Sequence, residues 1–362
     1  MTFSNVSFGD VTDNFDKKRI PLSAAQREKR QGKYRYYGAQ GVIDWIDDYI
    51  FDGTYLLIAE DGENLKSKKS NIAQLASGKF WVNNHAHVIQ CKKGYDIRYL
   101  CYLINLTDLS GYITGSAQPK LSQSSMNAIV LPMPKFEIQK EVADFIEKFD
   151  KKIQINEKVN DNLQQQASAI YQAWFEEFLL SGGSCPSTWN HGILADIANI
   201  TSGKSPSVKF FEMTENAVIP IVGAASIMGY TSESNHTDKI LVTGRVGTHG
   251  VIQRFSSPCW TSDNTLVITS DLYEYTYQLL KRIDYHSMNR GSTQPLITQS
   301  DMNKVPILIP DSETLNNFEL LAGKLMEQYQ SNLLESRKLA ELRDTLLPKL
   351  ISGEIDVSNL QL

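Results

Sequence analysis

Short apolar runs and longer helical stretches alternate along the 362-residue chain. Runs of four or five β-branched, aliphatic or aromatic residues, bounded by Gly, Asn, Asp or Ser, predict strands. These predicted strands are Tyr55–Ala59, His87–Gln90, Ile219–Val222 and Thr265–Thr269. Short helices are predicted at Ile97–Asn105 and Tyr273–Arg282, and polar loops at Arg27–Arg35 and Thr231–Asp238. The pattern indicates two regions of mixed α/β structure.

A stretch of about forty residues with helical periodicity follows each region, long enough for a helix of roughly 60 Å. The positions predicted to pair the two helices are Val142, Phe145, Phe149, Asn156, Leu163 and Ile170 in the first stretch, and Phe318, Leu321, Leu325, Asn332, Leu339 and Leu346 in the second. Because each helix carries a single apolar stripe, it needs a partner, and the other stretch is the obvious one.

The chain repeats itself. Residues Gly115–Pro134 and Gly291–Pro310 are identical at nine of twenty positions at a constant offset of 176, and the same offset superimposes the two helical stretches. A duplication indicates two copies of one module. Two copies related by an approximate two-fold axis would place their helices antiparallel, with the equivalent residues Asn156 and Asn332 meeting at the centre, where a buried polar contact fixes register. The alternative is that both are solvated helix residues.

The predicted fold is therefore mixed α/β (α+β), with two similar globular domains, each followed by a long helix, and the two helices paired as an antiparallel coiled coil. The predicted boundaries are 1–136 for the first domain, 137–182 for the first helical segment, 183–312 for the second domain and 313–362 for the second helical segment.

Charge is distributed unevenly between domains and helices. The net charge is −5, with +3 in residues 1–138, −3 in 139–182, −1 in 183–310 and −4 in 311–362. Acidic helices are repelled by a phosphate backbone, so any nucleic acid is expected on the domains. The sequence shows neither a membrane-length apolar run nor a signal peptide, and its four cysteines include no CxxC pair, which predicts a cytoplasmic protein with free thiols.

Several motifs in this order resemble those of the specificity subunit of Type I restriction–modification systems across nearly the whole chain. They are Gly115-Ser-Ala-Gln-Pro and Gly291-Ser-Thr-Gln-Pro, Asn83-Asn-His-Ala-His-Val88, Ala169-Ile-Tyr-Gln-Ala-Trp-Phe175 and Leu346-Leu-Pro-Lys-Leu-Ile-Ser-Gly-Glu-Ile355. The resemblance implies two target recognition domains that each bind one half of a bipartite double-stranded DNA sequence. It also implies that the helices dock two methyltransferase (modification) subunits and that restriction (translocase) subunits complete the nuclease.

In this interpretation the chain is a non-catalytic recognition and assembly subunit without a cofactor of its own, since the methyl donor and ATP belong to the partners. Helix length would set the spacer between half-sites. Three rivals remain open: the specificity subunit of a bipartite-cutting fused methyltransferase–nuclease, a two-headed adaptor that binds only proteins, and a self-contained enzyme. The recognised sequence, the spacer and the assignment of domains to half-sites do not follow from the residues.

Base contacts require side chains with donors and acceptors, mainly Arg, Lys, Asn and Gln. The candidate DNA-binding residues are Arg27, Lys29, Arg30, Lys33, Arg35, Lys66, Lys68, Lys69 and Gln118 in the first domain, and Lys204, Lys209, Arg245, Arg254 and Gln294 in the second. The alternative for each basic run is a solvated face. Both domains keep the Gly-Ser-x-Gln-Pro motif while their other residues differ, which favours a structural or phosphate-positioning role over base readout.

The sequence offers no convincing metal or catalytic site. His85 and His87 would lie on one face of a strand, but no carboxylate or thiol joins them at ligand spacing and the second copy has Asn264 and Leu266 there. A packing or local hydrogen-bond role is therefore favoured, and no metal is predicted. Ser202-Gly-Lys-Ser205 lacks the upstream glycine of a phosphate-binding loop, because position 198 is Ala198.

Overall fold

The computed structural model describes residues 2–115, 118–288 and 296–360. It divides into two compact units, which are 1–155 with 335–362, and 156–334. Both unit boundaries fall inside long helices, so each unit contains one globular domain and half of each helix. No helix among the described residues is both long and apolar enough to span a bilayer.

The first unit is built on a six-stranded sheet. Its elements are β1 (Ser4–Ser7), α1 (Phe8–Val11), β2 (Thr12–Asn14), α2 (Ala24–Glu28), β3 (Gln31–Gly38), β4 (Gly41–Ile46), β5 (Phe51–Ala59), α3 (Asn64–Ser67), β6 (Ala73–Val82), β7 (Ala86–Cys91), α4 (Ile97–Leu106), α5 (Gln123–Asn127), β8 (Val130–Met133) and the start of α6 (Phe136–Tyr171). The strand order is β2-β7-β5-β6-β3-β4, antiparallel except for β3–β6, and β1 pairs separately with β8.

The second unit repeats part of this plan. Its elements are β9 (Asn190–Ile193), β10 (Asn199–Ser202), β11 (Ile219–Val222), β12 (Ile227–Thr231), β13 (Ile240–Gly244), β14 (Gln253–Phe255), β15 (Trp260–Thr261), β16 (Thr265–Thr269), α7 (Tyr273–Leu280), α8 (Gln299–Asn303), β17 (Pro306–Ile309) and most of α9 (Ser312–Ser352). Its sheets are β10-β16-β13-β14, β12-β11-β15 and β17-β9.

The repeat seen in the sequence is a repeat of structure. Helices α5 and α8 begin and end at positions 176 residues apart, as do strands β8 and β17. Ser122 and Thr298 are equivalent, and each caps its short helix by accepting a backbone N–H three residues on, from Ser125 at 3.1 Å and from Asp301 at 3.2 Å. The shared Ser/Thr of the motif therefore has a structural role.

The predicted polar loop Arg27–Arg35 is wrong. Helix α2 already covers its first residues, and β3 begins at Gln31. The reason is that β-favouring aromatic residues follow, and Tyr36 and Tyr37 are buried on opposite faces of the sheet. The predicted strands and the two predicted short helices lie within strands or helices of the structure, apart from residues at the end of the second helix.

In the first unit the two long helices run antiparallel and close one side of the core. Arg343 Nη1 lies 2.6 Å from Asp150 Oδ1, and Lys152 Nζ lies 3.1 Å from Glu335 Oε2, so residue numbers rise along α6 as they fall along α9. Of the residues predicted to pair the helices, Val142, Phe145 and Phe149 are buried, and Leu339 and Leu346 pack against the same core. This core also contains domain residues, so these positions join helix to domain as well as helix to helix.

In the second unit the helix contact is polar at its centre. Asn156 Nδ2 donates to the Asn332 carbonyl oxygen at 3.4 Å, Asn332 Nδ2 donates to Asn160 Oδ1 at 2.9 Å, and Asn160 Nδ2 donates to the Tyr329 carbonyl oxygen at 3.2 Å. All three asparagines are buried. The structure thus brings together the equivalent pair expected from the symmetry and adds Asn160, which the sequence analysis did not select.

The remaining predicted pairing residues of the second unit differ in burial. Phe318 is fully buried against Tyr171 and Phe175, Ile170 packs on the same cluster, and Leu163 and Leu325 are half-buried. Leu321 is 39% exposed, whereas the neighbouring helix positions Ala322 and Met326 are buried. The buried face of α9 is therefore rotated slightly from the one predicted.

Candidate nucleic-acid interface

Two arginines of the first basic cluster are structural anchors. Arg27 Nε donates to Asp44 Oδ2 at 2.8 Å, and its guanidinium lies 5.2 Å from the centre of the Tyr36 ring. Arg30 bonds Asp47 at 2.9 Å and lies over the Trp81 ring. These contacts tie α2 to the β3–β4 hairpin, so they stabilise the hairpin and leave little of either charge for a phosphate.

Next to these anchors lies a more accessible group of cations. Lys29 and Lys33 are exposed, and Arg35 is half-buried with its guanidinium bonded to the Ser77 carbonyl oxygen. Lys33 Nζ lies 5.4 Å from the Tyr34 ring centre, Tyr34 lies 5.2 Å from the ring of Tyr49, and Lys79 Nζ lies 4.5 Å from Tyr49.

We call Lys33, Tyr34, Tyr49 and Lys79 the aromatic–basic strip. The two ammonium groups of this strip can bind phosphates. The two tyrosine rings between them can contact sugars or bases. A hydrogen bond with Tyr49 raises the pKa of Lys79, which favours its ammonium form. The sequence analysis missed Tyr34, Tyr49 and Lys79, because three separate elements contribute the strip and no local motif marks it.

The second basic cluster surrounds the short helix α3. Lys66, Lys68 and Lys69 have exposed side chains. Lys68 adopts the left-handed backbone conformation that ends α3, with φ of 48°, and its Nζ donates to the Thr107 carbonyl oxygen at 2.9 Å. Lys68 therefore helps close the turn.

The described residues of the first Gly-Ser-x-Gln-Pro motif are Gly115, Gln118 and Pro119. Gly115 has φ of 82°, and a Cβ there would lie 2.3 Å from the Gln118 carbonyl oxygen, so this position requires glycine. The segment that follows is held on the end of β5, where the Leu121 backbone N–H donates to the Glu60 carbonyl oxygen at 2.8 Å. The Gln118 side chain is exposed. Its second-domain equivalent, Gln294, lies outside the described residues.

A buried charge cluster contacts the segment 120–121. His87 is 1% exposed, and its Nδ1 lies 2.6 Å from Asp16 Oδ2 and 3.9 Å from Glu60 Oε2. Arg19 and Lys120 bind Glu60 at 2.8 and 3.3 Å. Burial works to raise the pKa of the Asp16 carboxyl, but hydrogen bonds with His87 and Asn14 and the charge of His87 outweigh it and hold the pKa below its ordinary value.

This cluster is not built like a metal centre. Asp16, Glu60 and His87 bring three potential ligand atoms within 4.8 Å of one another, but two cations already neutralise Glu60 and both ring nitrogens of His87 are hydrogen-bonded. We therefore assign no metal to it. The prediction that His85 and His87 share one face of a strand is also wrong. Strand β7 begins at Ala86, and the exposed His85 lies 2.8 Å from Asp61.

In the second unit the four predicted basic residues are not brought together into one patch. Lys204 and Lys209 are exposed, and Lys209 Nζ lies 5.1 Å from the ring of Phe211, which is 85% exposed. Arg245 is half-buried, and its Nε is buried without a hydrogen-bond partner among the described residues.

The fourth of these residues, Arg254, is an internal anchor. Its guanidinium forms two 2.6 Å hydrogen bonds with Glu274 and lies over the rings of Tyr273 and Tyr277. Both members of the ion pair are almost fully buried. Arg254 therefore holds α7 to β14, and the second domain offers a DNA phosphate mainly Lys204 and Lys209 from the predicted set.

Comparison with known proteins identifies the family of this chain. The model of the Type I restriction modification DNA specificity domain matches residues 2–165 and 186–343. The specificity subunit of the Type I restriction enzyme MjaIX of Methanocaldococcus jannaschii is 28% identical over 349 residues, which cover 84% of this chain and 80% of that protein. The HindI specificity subunit of Haemophilus influenzae is 23% identical over 450 residues, covering 98% and 95%.

A solved structure has the same fold. The S subunit of a Type I restriction–modification system from M. genitalium superimposes with a TM-score of 0.64 and 15% identity, over 97% of this chain and 96% of that one. The predicted fold class and the family resemblance are therefore confirmed. Because two matched segments cover most of its length, the chain belongs to the family of the Type I restriction modification DNA specificity domain and carries that domain twice.

Proposed function

We propose that this chain is the non-catalytic DNA-recognition subunit of a Type I restriction–modification enzyme. Each domain would bind one half of a bipartite target, and the paired helices would dock two methyltransferase subunits, with restriction subunits joining the assembly. The chain would determine where on the DNA its partner subunits bind. Methyl transfer and ATP hydrolysis would be carried out by those partners.

The observation that carries this proposal is a duplicated framework with unlike surfaces. The helix–strand framework of α5–β8 recurs at a constant offset in α8–β17. The accessible residues differ: the first domain presents the aromatic–basic strip, and the second presents Lys204 and Lys209 beside the exposed Phe211. A common scaffold with different contact surfaces is what two different half-sites require.

The arrangement of titratable groups supports a role without catalysis. The charges of the buried His87–Asp16–Glu60 cluster in the first domain are paired within the domain, and the second domain has Leu266 in place of His87. A duplicated enzyme would usually keep its reactive groups in both copies. Among the described residues the two copies share a helix cap and apolar contacts, which are parts of a scaffold.

The test is an adenine-methylation map of the native genome with the gene intact, deleted and restored. We expect methylation at one bipartite motif to disappear when the gene is deleted and to return when it is restored, because the recognition subunit alone determines which sequence is methylated. A map that does not change on deletion would contradict the proposal and favour an adaptor that binds only proteins. The map also gives both half-sites and their spacer.

A further inference from the structure

One accessible feature has the same form in both domains, unlike the basic residues, which differ. It is a hairpin, β3–β4 in the first domain and β11–β12 in the second. The inner strand of each hairpin also pairs in parallel with a strand that carries a tryptophan. Tyr36 of β3 lies opposite Trp81 of β6. Ile221 of β11 lies opposite Trp260 of β15, so the two hairpins are equivalent.

The outer strand of each hairpin contains a β-bulge at the equivalent place. In β4 the extra residue is Ile43, because its two neighbours lie opposite consecutive residues of β3. In β12 the extra residue is Met228, because its two neighbours lie opposite consecutive residues of β11. A bulge changes the direction in which a side chain points and is common beside functional sites. Its presence in both copies indicates a role that the two domains share.

Each bulged side chain lies against a glycine at the end of the inner strand. A Cβ added to Gly38 would lie 3.1 Å from Ile43 Cγ2. A Cβ added to Gly223 would lie 3.1 Å from Met228 Sδ. Both distances are too short for an unstrained contact, so each glycine provides the space in which the aliphatic side chain lies. The same arrangement is therefore built twice from different residues.

The bulged residues and their neighbours are exposed. Ile43 is 52% exposed and Val42 is 41% exposed. Met228 and Ile227 are 39% and 48% exposed. Single exposed apolar residues are common on protein surfaces, but here two adjacent ones occupy equivalent places in both domains. We call Val42 with Ile43, and Ile227 with Met228, the hairpin surfaces. Their burial against a partner would be favourable.

The chemistry of the hairpin surfaces fits a protein better than DNA. Aliphatic side chains have no donor for a phosphate, and contacts that distinguish bases should differ between two unlike half-sites.

Charges of both signs border each surface. In the first domain Arg30 binds Asp47 and Asp48, which follow β4. In the second, the segment that pairs with β12 carries Lys209 and Glu212, both exposed. An apolar centre with a mixed polar rim is typical of a protein–protein interface.

The number of hairpin surfaces indicates which protein binds them. Each domain has one, and the proposed function includes two copies of a methyltransferase subunit. A methyltransferase that modifies the half-site bound by one domain must lie beside that domain. One copy would therefore contact the hairpin of the first domain and the other copy the hairpin of the second.

We propose that the hairpin surfaces are equivalent docking sites for two copies of the methyltransferase subunit. They add one contact on each domain to the contact expected along the paired helices. The inference rests on the proposed function, which supplies the partner. It also explains why the hairpin is kept in both domains while the basic surfaces differ.

The test measures binding of the cognate methyltransferase subunit to the full-length chain without DNA. Native mass spectrometry gives the number of bound copies, and titration calorimetry gives their affinities. We expect two copies to bind the wild type. I43S should weaken the binding of one copy by about tenfold, M228S that of the other copy, and I43S/M228S that of both.

Matched controls separate docking from loss of structure. I20S and V251S replace aliphatic residues that are 51% and 40% exposed outside the hairpins, and should leave both binding steps unchanged. I43V and M228L keep an aliphatic side chain and should bind nearly as the wild type does. Thermal unfolding shows whether each variant is folded.

A cross-linking experiment provides the answer if the serine variants do not fold. A photoreactive benzoylphenylalanine that replaces Val42 or Ile227 should capture the methyltransferase subunit, and one that replaces Ile20 or Val251 should not. In that case, absence of a cross-link from positions 42 and 227 overturns the proposal.

The remaining outcomes are distinct. Unchanged binding of both copies by a folded I43S/M228S chain overturns the proposal. The proposal also fails if this variant keeps its affinity for the methyltransferase subunit and instead loses affinity for DNA or for the restriction subunit. A wild-type chain that binds no methyltransferase subunit contradicts the proposed function itself.

Discussion

At the residue scale, charge alone does not identify a DNA contact. Arg27 and Arg254 were both predicted to bind DNA, and the structure places both in ion pairs, with Asp44 and Glu274. Their partners lie 17 and 20 residues away in the chain, so only the fold reveals them. Lys79 was missed for the same reason, because its neighbour Tyr49 is on another segment.

Glu319 provides a test at this scale, because it joins α9 to α7 in the second unit. Its carboxylate accepts the backbone N–H groups of Tyr275 at 2.7 Å and Glu274 at 3.0 Å. E319A leaves both donors unpaired and should lower the free energy of unfolding by about 1–3 kcal/mol. Chemical denaturation measures this change, and E327Q on the exposed face of the same helix is the control.

The pH dependence of this contact has a definite sign. Burial raises the pKa of Glu319, against the hydrogen bonds from Tyr275 and Glu274 that lower it. The folded state therefore holds the proton more tightly than the unfolded state, so this group's stabilising contribution is full below the unfolded pKa and is lost as pH rises through the folded pKa. Wild type should gain stability relative to E319Q as pH falls through this range. The opposite trend would show that the carboxylate is stabilised in the fold.

At the element scale, periodicity predicted both long helices, and apolar runs predicted four of the strands and two of the short helices. It could not choose between neighbouring positions on α9, where spacings of three and four fit Leu321 and Ala322 equally well, and tertiary packing buries Ala322. The prediction of a loop at Arg27–Arg35 was wrong because this segment is rich in polar and basic residues. It nevertheless leads into a strand whose tyrosines Tyr36 and Tyr37 are buried. The local sequence pattern therefore predicted which elements form more accurately than it predicted which of their faces are buried.

The asparagine contact between α6 and α9 can be tested directly. N332L removes the donor to Asn160 Oδ1, which is buried, and should cost about 1–3 kcal/mol of unfolding free energy. N156L/N160L/N332L removes the whole polar set and should recover most of this loss, since an apolar contact replaces a hydrogen-bonded one. L333N, at an exposed neighbouring position, is the control. A triple variant no more stable than N332L would mean that the asparagines are not coupled.

At the scale of the whole molecule, the internal repeat was the most informative feature of the sequence. It predicted two domains, two helices and their antiparallel pairing, because a constant offset of 176 residues holds for α5, β8 and their copies. What the repeat cannot predict is where the copies differ. His87 and Leu266 occupy equivalent places in the two sheets, but the contacts of His87 with Asp16 and Leu121 come from distant segments.

The distribution of charge leads to a prediction for the isolated chain. The net charge is −5, the helices are acidic, and the arginines Arg27, Arg30 and Arg254 are neutralised by carboxylates. Few cations remain to displace counterions from DNA, so the chain alone should bind its target weakly. The logarithm of its affinity should fall with that of salt at a slope of only about −2 to −4, reflecting a few phosphate contacts.

Addition of the methyltransferase subunits should tighten binding and steepen this slope, because the partners supply further cations. Fluorescence anisotropy with a target duplex and a scrambled duplex, across a salt series, measures both quantities. Tight binding by the isolated chain that does not change with salt would contradict this expectation, since it would require a large uncharged interface in place of phosphate contacts. The assembled complex would then owe its affinity for DNA to the recognition subunit alone, and its partners would contribute only chemistry.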